Sequence, residues 1–505
     1  MGVVDGFKSV FGASKGTVPD APGFTWKPGD ARIKDYKTYR QIFDGEHATA
    51  LAEQYKIPTD QLHVIVNLAR LVVTIPADLM LGEPFTVDYP DDAAPSKEHQ
   101  KAVSEILRRS KLQTTAYEAA VDGGYYGDML YVVERDENEK AKIRAITPDI
   151  WFPEMDPDNV RDVRVHRLAW ERTAVENKQQ KKFLRVLEHH KGTIKNRLFE
   201  VDTAGKIGEE LPRTHRAWGL LYGEDIPPEE QDTGVDDFLL VHVPTFRSSK
   251  DYFGRSRYRD QKGLFGAVNE RTSHNNKILR DHAEPSMGIT EQMWQWVYGK
   301  SREDGGASVL DRMIVEARKL KVFRKGPNGE QNEYITWDGK VEDSESFTKR
   351  LKQDILDLSE IDNCLVSSEG VGSVASGRAL RLRLVRTLGM VNRGWKYQRD
   401  GLESIITVAA KLEGIEIEDM IIEKSDGLPA DTLEDIQAST QRINAGLSSR
   451  VREIMRLEDL DEVEAQALID EIDEEDAAAM EKITSKAVAN GGGRAPISVA
   501  FGGDK

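Results

Sequence analysis

Cys364-Leu365-Val366-Ser367-Ser368-Glu369-Gly370-Val371-Gly372-Ser373-Val374-Ala375-Ser376-Gly377-Arg378-Ala379-Leu380 is a serine- and glycine-rich stretch set between two long helical patterns. Its composition reads as a loop. Upstream, Phe347, Leu351, Ile355 and Leu358 recur at helical spacing. Downstream, apolar residues at 380, 384, 388, 391, 395, 402, 405, 409 and 412 carry a helix to Gly414, and only Gln398 breaks the alternation. Ser376 is placed to cap it. At ~1.5 Å per residue this helix would be roughly 55 Å long, against about 11–12 residues for a typical globular helix. Such a length calls for a large assembly, a coiled coil or a break, with Gly389 and Gly394 as candidate kinks.

Working outward, an earlier helix starts beyond Ser256, a plausible N-cap, and runs to about residue 282. Its stripe is Leu264, Phe265, Val268, Thr272, Asn275, Ile278 and Leu279; the rest of its surface is charged or amide. Between the two helices, 285–340 is mixed, with a short helix near Met293–Tyr298 and strand-like pieces at Lys321–Phe323 and Tyr334–Thr336 around the turn Gly326–Gly329. Towards the N-terminus the pattern turns β-rich. Met129–Val133 pairs with Lys142–Ile146, Phe183–Glu188 pairs with Thr193–Val201 across Lys191-Gly192, and Phe238–Val243 is a short buried strand. Before that come helices over 46–56, His63–Leu81 (interrupted by Pro76) and 96–121, the last broken by Gly123, Gly124 and Gly127. Residues 1–35, with Pro19, Pro22 and Pro28, read as a mobile arm. The block 431–485 is helical and acidic: Asp461 and Glu464 resemble a capping box, and Val463, Ala467 and Leu468 lie on the apolar face. The glycine tail over 486–505 reads as disordered.

The bulk numbers bound the class. At 505 residues, two to four structural units are expected, with ample core and no need for staples. A net charge of −17 argues against a stand-alone nucleic-acid binder; it is compatible with a protein that surrounds DNA without gripping it. The one cysteine, Cys364, excludes an intrachain disulfide and fits a reducing cytoplasm. The N-terminus has no signal-peptide pattern, and Gly6 stands where a myristoylation signal needs Ser or Thr. The most apolar stretch, Leu62–Gly82, contains Asn67, Arg70 and Asp78, so no membrane partner is expected.

A search for chemistry returns little. Phosphate-loop, paired-cysteine, His-Glu-x-x-His and Gly-x-Ser-x-Gly patterns are all missing from the sequence. No catalytic residue, metal site or cofactor is therefore expected. The loop Gly370–Gly377 lacks a phosphate-binding lysine. His189-His190 point to opposite faces of a strand and read as exposed hairpin residues. The acidic run Asp470–Asp476 reads as a solvated helix end. Cys364 has no basic neighbour within six residues to activate it, so packing is its expected role. Arg378, Arg381, Arg383 and Arg386 cluster at a helix start, where cations sit unfavourably; they are either a solvated, salt-bridged face or a contact for an anionic partner.

The order of these segments resembles the portal proteins of siphovirus-type tailed bacteriophages. Asn67–Gly82 with Glu83-Pro84-Phe85 is similar to that family's early helix and turn. Gly127-Asp128-Met129-Leu130-Tyr131-Val132 and Pro148-Asp149-Ile150-Trp151-Phe152-Pro153 resemble its wing strands. Phe253-Gly254-Arg255-Ser256 resembles the lead-in to its first stem helix. Ser376-Gly377-Arg378-Ala379-Leu380 resembles the opening of its long helix, with Arg381 for the usual lysine. Gly446-Leu447-Ser448-Ser449 resembles its crown segment. The likeness spans roughly residues 60–480.

The resemblance implies an α+β, mainly helical portal fold with wing, stem, clip and crown, assembled as a ring of about twelve copies. It implies a wing over 36–250, stem helices at 256–282 and 343–361, and a clip at 285–340. A tunnel loop at 362–376, a long wing-crossing helix and strand at 377–430 and a crown at 431–485 complete it. Double-stranded DNA would be packaged and ejected through the channel at one capsid vertex. The further implied partners are the terminase large subunit, major capsid and scaffolding proteins, and a head–tail adaptor. The protein would reside in the virion, and in the host cytoplasm during assembly. Ser367, Ser368, Glu369, Val371, Ser373 and Val374 would line the tunnel loop. Arg271, Lys277, Arg280, Lys349, Arg350, Lys352, Arg378 and Arg381 would make transient DNA contacts. Two other classes remain open at this point: a metal-dependent nucleic-acid-processing enzyme, which needs carboxylates converging in one pocket, and another virion structural subunit.

Overall fold

The computed structural model describes residues 31–55, 58, 62–90, 95–156, 158–159, 161–176, 179–202, 206–283, 286–298, 321–325, 331–335, 341–366, 377–425, 432–458 and 465–474. The tunnel-loop residues, the Ser376 cap, the turn Gly326–Gly329, the Asp461–Glu464 box and the glycine tail lie outside them. Two compact units divide the chain: Met1–Gly372 with Arg383–Leu428, and Ser373–Leu382 with Pro429–Lys505.

In the first unit, α1 (Ala31–Phe43) buries Tyr36, Tyr39 and Ile42, so helix begins inside the segment read as an arm. The helix expected over 46–56 is a single turn, α2 (His47–Ala50), followed by a 3-10 turn at Ala52–Gln54. α3 (Leu68–Leu81) is capped by Asn67, whose side chain accepts from Arg70 N. Pro76 lies inside α3 and does not interrupt it; it removes one rung of the ladder, and its neighbours Val72, Val73 and Ala77 are buried. β1 (Thr86–Asp88) follows.

The helix expected over 96–121 is two. α4 (Lys97–Ser110), capped by Ser96, ends at Lys111, which takes the left-handed conformation with φ 48°. α5 (Leu112–Tyr126) then runs on through Gly123 and Gly124, which pack against Met129 and Val73, and stops at Gly127.

β2 (Asp128–Arg135) and β3 (Ala141–Ile146) form the expected hairpin. Next come β4 (Trp151–Met155), β5 (Val163–Glu176), β6 (Gln179–His189), β7 (Thr193–Val201), β8 (Ile207–Glu210), α6 (Arg216–Tyr222), β9 (Glu230–Asp232) and β10 (Leu240–Pro244). They build a three-stranded sheet, β10-β2-β3, and a six-stranded sheet, β4-β5-β6-β7-β8 with β9 on β7.

The two sheets meet through Leu130, Val132, Ile146 and Leu240 on one side and Trp151, Leu168, Trp170 and Leu187 on the other. The far face of the larger sheet buries Phe152, Ala169, Leu184, Val186 and Phe199. Across that face runs a ladder of alternating charge: Glu154–Arg167 at 2.5 Å, Arg167–Glu188 at 2.9 Å and Arg197–Glu188 at 3.2 Å. β5 is the strand the sequence hides. Both its faces are covered, and Arg167 inside a strand reads as solvent-facing until Glu188 is placed across from it.

α7 (Lys262–Ala283), β11 (Ser286–Ile289), α8 (Glu291–Tyr298), β12 (Val322–Arg324), β13 (Glu333–Ile335) and α9 (Val341–Leu358) follow. β11 pairs parallel with β12 and antiparallel with β13. α10 (Gly377–Arg383) and α11 (Val385–Leu412) replace the single long helix. The break falls at Leu384, and Gly389 and Gly394 sit within α11. Gln398, the residue that broke the apolar alternation, is fully buried and donates to the Tyr131 hydroxyl at 2.5 Å. Gly414, with φ 78°, follows the end of α11. β14 (Ile421–Glu423) pairs with β1. α11 contributes Leu402, Ile405, Ile406 and Ala409 to a core shared with α4, α5 and the three-stranded sheet.

In the second unit, α12 (Thr432–Asn444) and α13 (Arg450–Glu458) are joined by a turn at Gly446, φ 67°. Glu453 locks this turn: Ser439 donates to it at 2.8 Å, and Arg456 and Arg442 lie at 3.1 and 3.4 Å. Hydrogen bonds from Ser448 and Ser439 hold its carboxyl down to about 2. Over 465–474 Ala465 and Ile469 are buried and Ala467 is exposed. The apolar face is therefore set by 465 and 469, a correction to the face drawn through Ala467. The whole is an α+β protein.

Candidate functional site

The helices α7 and α9 converge on a junction with the sheets, and the junction is built around Asp128. α5 must end where β2 begins, and Gly127 makes the corner with φ 97°, a region that costs a side chain dearly. The Asp128 carboxylate is fully buried. It accepts from Tyr36 Oη on α1, from His242 Nε2 on β10 at 2.7 Å, and from the Gly254 backbone N–H at 2.7 Å. Burial and the adjacent Asp128 push the Tyr36 hydroxyl well above its usual range. Three elements thus share one anion, which satisfies donors that would otherwise be stranded in the interior.

Around it the backbone is stitched. Thr245 N donates to Gly127 O at 2.8 Å, and Arg257 N donates to Gly124 O at 3.1 Å. Ser256 does not cap α7, which starts six residues later. Instead its hydroxyl donates to Tyr125 O at 2.5 Å and accepts from Tyr258 N at 3.0 Å, fixing the turn that leads into the helix. The Tyr258 hydroxyl reaches Ala69 O at 2.8 Å.

α7 and α9 run antiparallel, because Gln261 bonds Ser359 at 2.9 Å near one end and Ser344 bonds Asn275 at 2.6 Å near the other. On another side of α7, Asn269 accepts from Val66 N at 2.9 Å and donates to His47 Nδ1 at 2.7 Å, and Ser273 exchanges hydrogen bonds with Val64. These buried amides and hydroxyls explain a helix whose apolar stripe is narrow. On α9, Leu351 and Ile355 are buried, whereas Phe347 and Leu358 stand exposed.

The segments on either side of residues 367–376 are fastened to one another. Arg383 Nε lies 3.0 Å from Asp362, and Arg393 lies 2.6 Å from Glu360. Thr387 Oγ1 donates to Glu360 O at 2.8 Å and accepts from Asp362 N at 3.1 Å. Arg386 donates to Asp357 O at 3.1 Å. The end of α9 and the start of α11 are therefore pinned together. Cys364 lies in a 3-10 turn just after α9, with its thiol pushed up to about 11, first by burial, which makes it a poor nucleophile at neutral pH.

Among the candidate cations, Arg271, Lys277, Arg280, Lys349 and Arg350 are exposed and Lys352 is half-buried. Lys277 and Arg280 share a face of α7. At ~100° per residue, Arg271 falls about 120° and 180° away from them. It lies instead towards α9, with its guanidinium 5.6 Å from the Phe347 ring centre. Arg381 is exposed on α10; the side chain of Arg378 lies outside the described residues.

A groove of 520 Å³ beside α11 is lined by Asp237, Glu403, Glu418 and Asp419 with Phe238 and Met420. Asp237 is engaged by Lys411 at 2.7 Å. Among the described residues no three His, Cys, Asp or Glu side chains are grouped to hold a metal ion. Nor, among them, is any helix long and apolar enough to cross a membrane.

His189 corrects an expectation: it is 3% exposed, buried between the sheets. The Asp128 junction is what sequence reading missed. Its two halves, Gly127-Asp128 and Gly254, were both singled out as motifs, but nothing in the sequence joins them.

Fold and site together define an α+β protein whose sheets are stitched through one buried carboxylate to an antiparallel helix pair. Residues 25–184 match the family "Phage portal protein, SPP1 Gp6-like". The resemblance drawn from the motifs is borne out over that stretch, which holds Gly127, Asp128 and the Trp151 strand. No curated protein matches the chain. Solved structures that align with it include a chain of the virion of a native gene transfer agent (GTA) particle, 12% identical over 84% of this chain and 93% of that one, TM-score 0.42. Others are chains of the neck of the empty GTA particle computed with C6 symmetry (12% identity, 77% and 88% covered, TM-score 0.41) and of the native neck with C12 symmetry (13%, 77% and 88%, TM-score 0.38).

Proposed function

We propose that this chain is a portal subunit: a structural protein that assembles into a ring at one capsid vertex, through which double-stranded DNA is packaged and ejected. The observation that carries the reading is the match of residues 25–184 to the phage portal family. The helix pair fits it. α7 and α9 would be stem helices, 285–340, with the small sheet β11–β13 and α8, the clip, and 431–485, with α12 and α13, the crown. Exposed Phe347 and Leu358 on α9 are apolar side chains that a neighbouring copy would cover.

Residues 362–376 would be the tunnel loop; the ion pairs Asp362–Arg383 and Glu360–Arg393, between the segments on either side of 367–376, support that reading. The exposed lysines and arginines of the helix pair would touch DNA only briefly. A net charge of −17 per subunit disfavours tight phosphate binding, which would stall a sliding duplex. Terminase would dock at the clip and supply the energy. Capsid, scaffolding and adaptor proteins would complete the vertex.

Deleting Ser367–Ser373 tests the assignment. Rings should still assemble while DNA packaging or retention fails, and normal packaging by that deletion would refute it.

A further inference from the structure

We propose that His166 and His189 form a proton-operated latch that holds the six-stranded sheet against the three-stranded sheet and releases it on acidification. The two residues sit directly opposite one another on β5 and β6. Both are buried, at 5% and 3% exposure. His166 Nδ1 accepts from the indole N–H of Trp151 at 3.1 Å, so in this arrangement its proton is on Nε2. Among the described residues neither ring nitrogen of His189 has a hydrogen-bond partner.

Among the described residues the surroundings offer no home for a positive charge. His166 packs edge-on against Phe238, with ring centres 4.8 Å apart. Trp151 separates it from His242, whose ring lies 4.5 Å from the indole. Facing groups on the neighbouring elements are themselves cationic or already committed. From α1, Arg32 lies over Trp151 at 5.9 Å and Phe253 at 4.3 Å. From the β6–β7 turn, Lys191 lies 5.8 Å from Phe238. From β2, Asp128 is occupied by its three donors. Glu188, next to His189 in sequence, points to the opposite face and pairs with Arg167 and Arg197 there, with His190 beside it.

Protonating His166 would set an N–H against the Trp151 N–H. Protonating His189 as well would place two cations across a strand pair with no acceptor between them. Opening the seam to water relieves both. Because Trp151 also touches His242, and His242 holds Asp128, a loosened seam reaches the junction with α7.

The sign follows from linkage. Burial lowers His166 to about 3 and His189 to about 4. The closed seam therefore binds fewer protons than the open one, whose histidines titrate near 6.5. Closure is fully stable above about pH 6.5 and weakens below it, by about tenfold per histidine for each pH unit until the folded values are reached.

Hydrogen exchange on the full-length protein, corrected for intrinsic rates, tests this. Peptides covering β4, β5 and β6 should lose protection steeply between pH 6.5 and 4.5, while peptides covering Ile405–Ala409 of α11 keep theirs. The double variant His166→Gln, His189→Leu should keep β4–β6 protected at pH 5, and His190→Gln should behave as wild type. Unchanged β4–β6 protection in wild type at pH 4.5, or equal loss in the double variant, would overturn the latch. Should the double variant fail to fold, NMR titration of the wild-type imidazoles decides. Protonation of either ring near pH 6.5 with the sheets still closed would also overturn it.

Discussion

The backbone N–H of Gly254 donates to the buried carboxylate of Asp128 at 2.7 Å, joining two segments that are far apart in the chain. The approach is close because neither Gly254 nor its neighbour Gly127 carries a side chain. A Cβ on Gly254 would sit 2.8 Å from the Gly127 carbonyl carbon and closer still to its oxygen. Since that obstacle is backbone, no rotamer change relieves it. Gly254→Ala should therefore cost about 3 kcal/mol or more, read as a fall in the denaturant midpoint or as loss of soluble protein. A variant with wild-type stability would show that the junction is looser than described.

Asp128 itself should be more sensitive to deletion than to neutralisation. Asp128→Ala strands the Tyr36 hydroxyl, the His242 ring and the Gly254 N–H, with an expected loss of about 3–5 kcal/mol. Asp128→Asn retains one acceptor oxygen and should lose less. Chemical denaturation of both variants, together with His242→Ala, would give the ranking. Equal losses for Asn and Ala would contradict it.

Asp122 offers a gain. Burial in α5 raises its carboxyl to about 6, although the Tyr125 hydroxyl donates to it at 2.5 Å. A carboxylate whose folded value lies above its unfolded one costs stability above the folded value, and the cost disappears below the unfolded one, near 3.8. Asp122→Asn should thus stabilise the protein by up to about 3 kcal/mol at pH 7.5 and by nothing at pH 3.5. Melting temperatures measured at the two pH values check the sign.

Much of the secondary structure was legible because local pattern and packing agree. The β6–β7 hairpin was legible as two strand-like runs on either side of Lys191-Gly192, and the strands pair across that turn. The helix pair was legible from Phe265 and Val268 on α7 and from Leu351 and Ile355 on α9, all buried. Where local pattern and tertiary demand part, the reading slipped. Lys111 splits one expected helix with a left-handed residue that no glycine announces. Gln398 looks like an interruption until Tyr131 is placed against it. His189 reads as a turn residue because its cover comes from other strands. The junction was invisible for the same reason: Tyr36, Asp128, His242 and Gly254 meet only once the chain has folded. The resemblance itself was legible, through the order of weak motifs.

The buried amide on α7 should matter to the helix pair. Asn269 is fully buried and serves Val66 N and His47 together. Asn269→Leu should cost about 2–4 kcal/mol, leaving those partners unpaired, and hydrogen exchange should show the loss first at residues 62–67. Substituting exposed Asn276 in the same way should change stability by less than about 0.5 kcal/mol.

The central claim is that this chain closes into a ring around a channel. Electron-microscope images of the purified full-length protein test it most directly. Particles with a central hole and rotational symmetry, about twelve copies around, are expected. A compact monomer with no hole, at concentrations where the protein is folded, would contradict it.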